Sequence, residues 1–412
     1  MGRRSTRLHH RVGRAVAALT VATAGLTGAV VAMGVQPAGA QDFPVTNTTD
    51  TGTDTLRDVL ENQVSDGDTV TLVAGATYVL DDCSAGDIEI DAAVTIDGNG
   101  ATIEQTCNDG VLYTNDALTV NFVTITGGVA FSGGGGIYAD AGDLTIYGSS
   151  IVGNFACGNG GGIHVHDDTV IAYSTISGNT TTDDGGAIAN DGEGDISVFN
   201  STITKNTGGE VGGIENDAGD TFLIYTTLVD NTTDPTTVCP DSVESAGHQS
   251  VHQHATADAA LVDSQVPANI RVESTQTLHT FASVIALPNG GTNCGDFSGD
   301  PLINTDSAGY NFADDTSCDL TDTGDSQVPA ADAKLGALGA NGGPTQTMLP
   351  QTGSPLIDAI PLATCSPAAE ALSITDDQRF LVRPDVVNQK CDIGAVEVQT
   401  EAPPVIQPTF TG

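Results

Sequence analysis

Four groups of carboxylates recur along the middle of the chain: Asp140 with Asp143, Asp167 with Asp168, Asp191 with Glu193 and Asp195, and Asp217 with Asp220. Carboxylates stacked about 5 Å apart repel one another, and an oxygen-seeking Ca2+ ion would relieve that repulsion. The competing reading is that Asp serves as a turn former, screened by water and monovalent ions. No calcium loop of the EF-hand type is present, and Ca2+ is the one cofactor expectation the sequence raises. His164 and His166 flank Val165, and His248, His252 and His254 form a second group. Either set could ligate Zn2+. Neither has a cysteine or a placed acid beside it, so surface histidines are the plainer reading. No residue is assigned a catalytic role.

The elements that carry these residues repeat. Asn154, Asn179, Asn206 and Asn231 recur at intervals of 25, 27 and 25, each three residues after Ile151, Ile176, Ile203 or Leu228. Ile137, Ile163, Ile188 and Ile214 run in phase, each preceded by Gly-Gly or Gly-Ala. A third track opens each unit: Leu118/Val120, Leu144/Ile146, Val170 nearby, and Ile196/Val198. Three short apolar tracks per period leave no room for a helix and indicate a solenoid of β-strands with one coil per period. Coils stack at about 4.8 Å and bury like on like. Asn at a fixed turn suits this geometry, because it tolerates left-handed backbone and its amide can bond to the Asn above and below. The glycines before the Ile track mark turns where a Cβ would clash. On this register the acids occupy the same turn of successive coils, and both imidazoles of His164 and His166 point outward.

Composition narrows the function classes. The formal charge of the 412 residues is -41, and the five arginines at positions 3, 4, 7, 11 and 14 lie in an acid-free leader. Beyond residue 40, seven basic residues face 53 acidic ones, a balance of -46, which argues against nucleic-acid or anionic-membrane partners. Trp is absent and aromatics are 4%, so the core must be aliphatic. The basic start, the apolar stretch 15–35 and Ala38-Gly39-Ala40 read as a secretory signal peptide over residues 1–40, leaving no stable membrane span after cleavage. An uncleaved anchor is the other reading of a stretch this long. In 41–66, Leu56, Val59, Leu60 and Val64 lie on one helical face, and a helix here would cover the exposed end of the first coil.

Ser150-Ile151-Val152-Gly153-Asn154 followed by Gly160-Gly161-Gly162-Ile163 resembles the right-handed parallel β-helix repeat proteins of the pectin-lyase-like fold. The chain's end resembles the bacterial choice-of-anchor Q domain proteins, through Asn341-Gly342-Gly343-Pro344-Thr345, Gly353-Ser354-Pro355-Leu356-Ile357-Asp358, Asp377-Gln378-Arg379, Arg383-Pro384 and Cys391-Asp392-Ile393-Gly394-Ala395-Val396-Glu397. The resemblance implies an all-β, three-sheet solenoid with coils over 67–231. An irregular excursion with further coils would follow over 232–290, a disulfide-containing C-terminal region closing the end over 291–398, and a tail over 399–412. Repeat-like sequence resumes near Thr280. In that family the domain precedes anchoring signals; none is visible in the tail, which favours release. The glycosidases of this fold carry Gly-His-Gly and Arg-x-Lys motifs that are absent here, although Asn304-Thr305-Asp306 resembles another of their motifs. The pectate lyases use an Arg or Lys base beside calcium, and within the clear repeats Lys205 is the one such residue.

All eight cysteines follow the leader, and their spacing suggests Cys83 with Cys107, Cys294 with Cys318 and Cys365 with Cys391. Cys157 and Cys239 remain, about three coils or 14 Å apart, too far to bond unless the segment after Asn231 folds back. The expectation is therefore a secreted, non-catalytic surface or adhesion-type protein that binds a glycan or another protein. A carbohydrate-active enzyme on the same scaffold is the alternative. Rows of Tyr or Phe on one sheet would favour glycan binding, with Tyr138, Tyr147, Tyr173 and Tyr225 available; convergent acids in a groove would favour the enzyme.

Overall fold

A computed structural model describes residues 39–240, 266–298, 300–302, 304–365, 374–385 and 389–399. Residues 1–38 of the leader, the histidines at 248, 252 and 254, and all but the first residue of the tail lie outside these residues. One coil shows the plan: Ile137–Ala139, then Leu144–Tyr147, Ser150–Val152 and Phe155–Ala156, after which Ile163–Val165 opens the next. Among the described residues, the second and third strands of each coil join an 18-stranded sheet, the first joins an eight-stranded sheet, and the short fourth joins a five-stranded sheet. Every pairing within these three sheets is parallel, because each strand meets its equivalent one coil away.

The two Ile tracks are core columns. Ile137, Ile163, Ile188, Ile214 and Ile270 stack in register on one side, and Ile151, Ile176, Ile203, Leu228 and Ile285 on another, all fully buried. Each such side chain contributes roughly 1.5–3 kcal/mol of burial, which a lone coil could not collect. The third track differs at one coil: Leu144 pairs with Thr169 and Ile146 with Ile171, so Val170 faces outward into a second apolar cluster.

The asparagines form a continuous ladder. Each Nδ2 donates to the next Oδ1, from Asn154 to Asn179, Asn206 and Asn231 at 3.0 Å, then to Asn269 at 2.9 Å, Asn293 at 2.8 Å, and finally the Asp314 carboxylate. The left-handed backbone falls one residue earlier than expected, on Gly153, Gly178, Lys205 and Asp230. The amide is thereby free to aim along the stack. A Cβ on Gly162 would sit 2.7 Å from Ala187 O and 2.9 Å from Asn179 Nδ2, so that glycine is required by close approach.

The repeat resumes earlier than its sequence suggests. Pro267–Val272 already pairs with Ile214–Asn216, because Asn269 takes the ladder position and Ile270 the core column without the usual glycines. After Thr232–Thr233 the chain turns back along the stack, with Asp234 N donating to Gly208 O, and brings Cys239 to Cys157. All four cysteine pairs are bonded.

At the N-terminal end, Asp42–Val45 pairs with Thr69–Leu72, and the helix Leu56–Asn62 buries Leu56, Val59 and Leu60 in the main core. Thr55 caps it by accepting from Asp58 N, and the Asp58 carboxylate accepts in turn from Asp54 N. The C-terminal region does two things, where closure of the end alone was expected. Cys294, Leu302, Cys318 and Leu320 complete the core, whereas the described segments 331–365, 374–385 and 389–398 run back along the outside of the 18-stranded sheet. There Gln378 Nε2 donates to Ser174 O and Thr175 Oγ1, Thr202 Oγ1 donates to Gln378 Oε1, and Arg383 lies 4.0 Å over the Tyr225 ring. This clasp covers Tyr147, Tyr173 and Tyr225, which are therefore packing residues. Among the described residues no helix is long and apolar enough to cross a membrane.

Candidate functional site

The outward face of the eight-stranded sheet gathers the chemistry. Its first outward row, one residue per coil, reads Glu89, Tyr113, Tyr138, His164, Ala189, Glu215 and Arg271. Two residues further along each coil a second row carries Asp140, His166, Asp191, Asp217 and Glu273. This alternation follows from the pleat, since the Ile or Leu on one side of each row-one residue, and the Ile, Thr, Ala, Val or Asn on the other, face the core.

One half of the face is aromatic. Tyr113 and Tyr138 meet edge to face at 5.3 Å, Tyr138 stacks on His164 at 4.8 Å, and His166 stands 5.1 Å from His164. Tyr138 OH donates to Asp140 Oδ1 at 3.3 Å, and His166 Nδ1 lies 3.4 Å from that same oxygen. His164 Nε2 meets Asp191 Oδ2 at 3.1 Å, while Asn159 Nδ2 donates to both Asp191 oxygens. Burial alone would raise the Asp191 carboxyl, but the hydrogen bonds and charge of His164 outweigh it and hold it below the ordinary range. Burial pushes the Tyr113 hydroxyl up to about 12, helped by Asp140.

The other half is a buried charge cluster. Arg271 reaches Asp184 at 2.5 Å, Glu210 at 2.6 Å and Glu215 at 3.2 Å, with Phe297 against its guanidinium at 4.2 Å. Glu215 is 2% exposed; burial, with Asp184 adding to it, drives its carboxyl well above the usual range despite Arg271. Burial likewise raises Asp184 to about 7, with Arg271 opposing. Asp217 is raised by burial and partly brought back by Glu215. Asp191, Glu215 and Asp217 each place a carboxylate oxygen within 4.8 Å of the others, as do His164, His166 and Asp191 with their ligand atoms.

The nine acids singled out from sequence separate into two sets. Asp140, Asp191 and Asp217 stand on this face. Of the rest, Asp167 accepts from Gly142 N, Asp168 from Asp195 N, Asp195 from Asp220 N and Asp220 from Thr277 N, each carboxylate tying its turn to a neighbouring coil. Asp143 is raised by burial and by its neighbours Asp168 and Asp167, and Glu193 is exposed at its turn. His164 is 8% exposed, so it is not the surface histidine expected. Sequence reasoning passed over Tyr113, Asp184, Glu210, Glu215 and Arg271. Glu215 was recoverable, because it follows Ile214 as His164 follows Ile163; Arg271 was hidden by the break in the repeat.

The fold and its faces define a parallel β-solenoid with one decorated sheet. In comparison with solved structures, the chain aligns with a pectate lyase, Pel9A, over 87% of its own length and 98% of that chain, at 11% identity and a TM-score of 0.41. That likeness is too loose to carry residue roles across. No family model matches the chain. No curated protein matches it either.

Proposed function

We propose that this is an exported surface protein of the choice-of-anchor Q type whose eight-stranded face binds a glycan. The observation that carries the reading is the pair Tyr113–Tyr138, with rings in contact along the solenoid axis, the buried His164 stacked on Tyr138, and Asp140 and Asp191 beside them. Half-buried aromatic faces take the apolar C–H faces of sugars, while flanking carboxylates accept from their hydroxyls. A linear polysaccharide laid along the axis would meet Tyr113 and Tyr138 on successive coils. Four disulfides fit an extracellular setting. The test is a glycan array on residues 41–412, followed by Tyr138→Ala. Binding that falls at least tenfold in the variant supports the reading, and no glycan bound by the parent removes it.

A second reading, a carbohydrate-active enzyme, draws on Glu215 and Asp184. Both carboxyls are pushed up by burial next to Arg271, which is the condition a general acid needs near neutral pH. Polysaccharide turnover that disappears in Glu215→Gln while binding persists would establish it. Binding without turnover would leave the binding module as the function.

A further inference from the structure

His166 stands in row two between Asp140, one coil before it, and Asp191, one coil after it. Its Nδ1 lies 3.1 Å from Asp140 O and 3.4 Å from Asp140 Oδ1, a carbonyl and a carboxylate oxygen that can only accept. Nδ1 therefore carries the proton of the neutral ring, and Nε2 keeps a lone pair with no hydrogen-bond partner among the described residues. His164, two residues back on the same face, brings Nε2 to Asp191 Oδ2 at 3.1 Å. Its ring is fixed by the parallel stack on Tyr138, and Gly133 makes room for it, since a Cβ there would sit 2.5 Å from His164 Nδ1. Asn159 Nδ2 donates to both Asp191 oxygens and sets that carboxylate, whose side chain is 33% exposed and open to solvent. Spacing put no acid beside these histidines; the stacking of coils puts one on each side of His166.

We infer that His164, His166 and Asp191 form a binding site for one divalent cation of the Zn2+ class, held by two imidazole nitrogens and one carboxylate oxygen. The three ligand atoms lie within 4.8 Å of one another before any ion enters. Two ligands about 2.05 Å from a tetrahedral Zn2+ stand about 3.3 Å apart, so the His164–Asp191 contact at 3.1 Å already has the length of that edge. The ion takes the place of the proton between His164 Nε2 and Asp191, and that proton leaves to solvent. The edges to His166 shorten by at most about 1.5 Å, which the torsions of a side chain 30% exposed can supply. An outer shell is in place as well. Asp140 holds the far nitrogen of His166 and Asn159 holds the carboxylate of Asp191, which is how zinc ligands are oriented. Two imidazoles select Zn2+ over Ca2+ and Mg2+, which take oxygen ligands. With three protein ligands the fourth position goes to water, the open set of zinc sites that accept a further ligand. The inference holds whether or not the face binds a glycan, since protein atoms and water complete the shell.

Isothermal titration of the full mature chain with ZnCl2, in chelator-treated buffer and without glycan, tests it. The expected result is one saturable equivalent whose affinity falls at least about tenfold in both His166→Ala and Asp191→Asn. His166→Ala keeps the fold testable, because it removes a partly exposed side chain and leaves His164 stacked on Tyr138. In Asp191→Asn the amide oxygen still accepts from His164. The histidines at 248, 252 and 254 are a competing set, so the titration is repeated with His248→Ala, His252→Ala and His254→Ala combined. The equivalent lost in His166→Ala is expected to persist there. No saturable binding up to sub-millimolar ZnCl2 overturns the inference, as does equal affinity in folded His166→Ala. Loss of binding in the triple variant alone also overturns it, by moving the ion to the other histidines. Displacement of Zn2+ by equimolar Ca2+ does so too, because it would mark an all-oxygen site. Glycan plays no part in the readout, so failure here leaves the glycan reading as it stands.

Discussion

Replacing Asn206 by alanine tests what holds the coils in register. Asn206 is fully buried at the middle of the ladder. Its Oδ1 accepts from both the main-chain N–H and the Nδ2 of Asn179, each at 3.0 Å. Its Nδ2 donates to Asn231 Oδ1, Ile176 O and Thr204 O. Two neighbours lose little in the variant, because Asn179 Nδ2 keeps Ile151 O and Asn231 Oδ1 keeps Asn206 N–H. The main-chain N–H of Asn179 and the carbonyl of Ile176 lose a side-chain partner in a dry interior, at roughly 1–3 kcal/mol each. The expected loss is therefore about 3–4 kcal/mol. A chain of this length does not unfold as one unit, so a single midpoint would dilute the effect. Native-state hydrogen exchange reads it locally, as faster exchange at the Asn179 amide by two to three orders of magnitude, with the N-terminal helix unchanged. Asn206→Asp is expected to be worse at pH 7, since its carboxylate cannot donate to Asn231 and buries a charge. A loss under 1 kcal/mol with unchanged exchange at Asn179 would show that the apolar columns alone set the register.

Gly213→Ala would put its Cβ 1.9 Å from the carbonyl oxygen of Asn269, a backbone atom that cannot swing away, and is expected to cost about 3 kcal/mol or more in thermal or chemical unfolding. Gln378→Ala removes the amide that joins the clasp to Ser174, Thr175 and Thr202. Limited proteolysis is expected to cut the 331–398 region first in that variant, while the coils stay intact. The clasp also has a pH dependence. Burial, opposed by Arg383 and reinforced by Asp392, raises the fully buried Glu397 carboxyl from 4.5 to about 7. Folded protein thus keeps a proton there that the unfolded chain has released, so this group's contribution is fullest below about pH 4.5 and declines as pH rises to about 7. The difference in proteolytic protection between parent and Glu397→Gln should change across that window and be flat above it.

How much of this was legible before the structure follows from what sets each feature. The Ile columns and the Asn ladder are local in period: one residue per coil, repeated, leaves its spacing in the sequence. Three cysteine pairs close within about one coil and could be paired by spacing, whereas Cys157–Cys239 depended on a fold-back that spacing cannot encode. The left-handed positions were misplaced by one residue, because Lys205 and Asp230 occupy in two coils the place that Gly153 and Gly178 hold in others. The fate of Tyr147, Tyr173 and Tyr225 was not readable at all. An aromatic on the outer face is a binding platform or a packing surface according to what covers it, and the cover lies some two hundred residues away in the chain, as in the bond from Tyr173 OH to Asp376.

The same logic explains how the charged half of the candidate site is assembled across a break in the repeat. Glu215 and Asp217 come from one coil and Asp191 from the coil before, so stacking alone aligns them. Arg271 comes from beyond the excursion, and a one-residue slip there would turn its side chain into the core. Asn269 prevents the slip by accepting from Asn231 and donating to Asn293, so that Ile270 must fall on the Ile column and Arg271 must face outward opposite Glu215. The ladder therefore positions the site as well as stabilising the solenoid. With Asn269 in place Arg271 can meet Asp184, Glu210 and Glu215 together; without it those acids would surround an empty position, and their mutual repulsion would have no counter-charge.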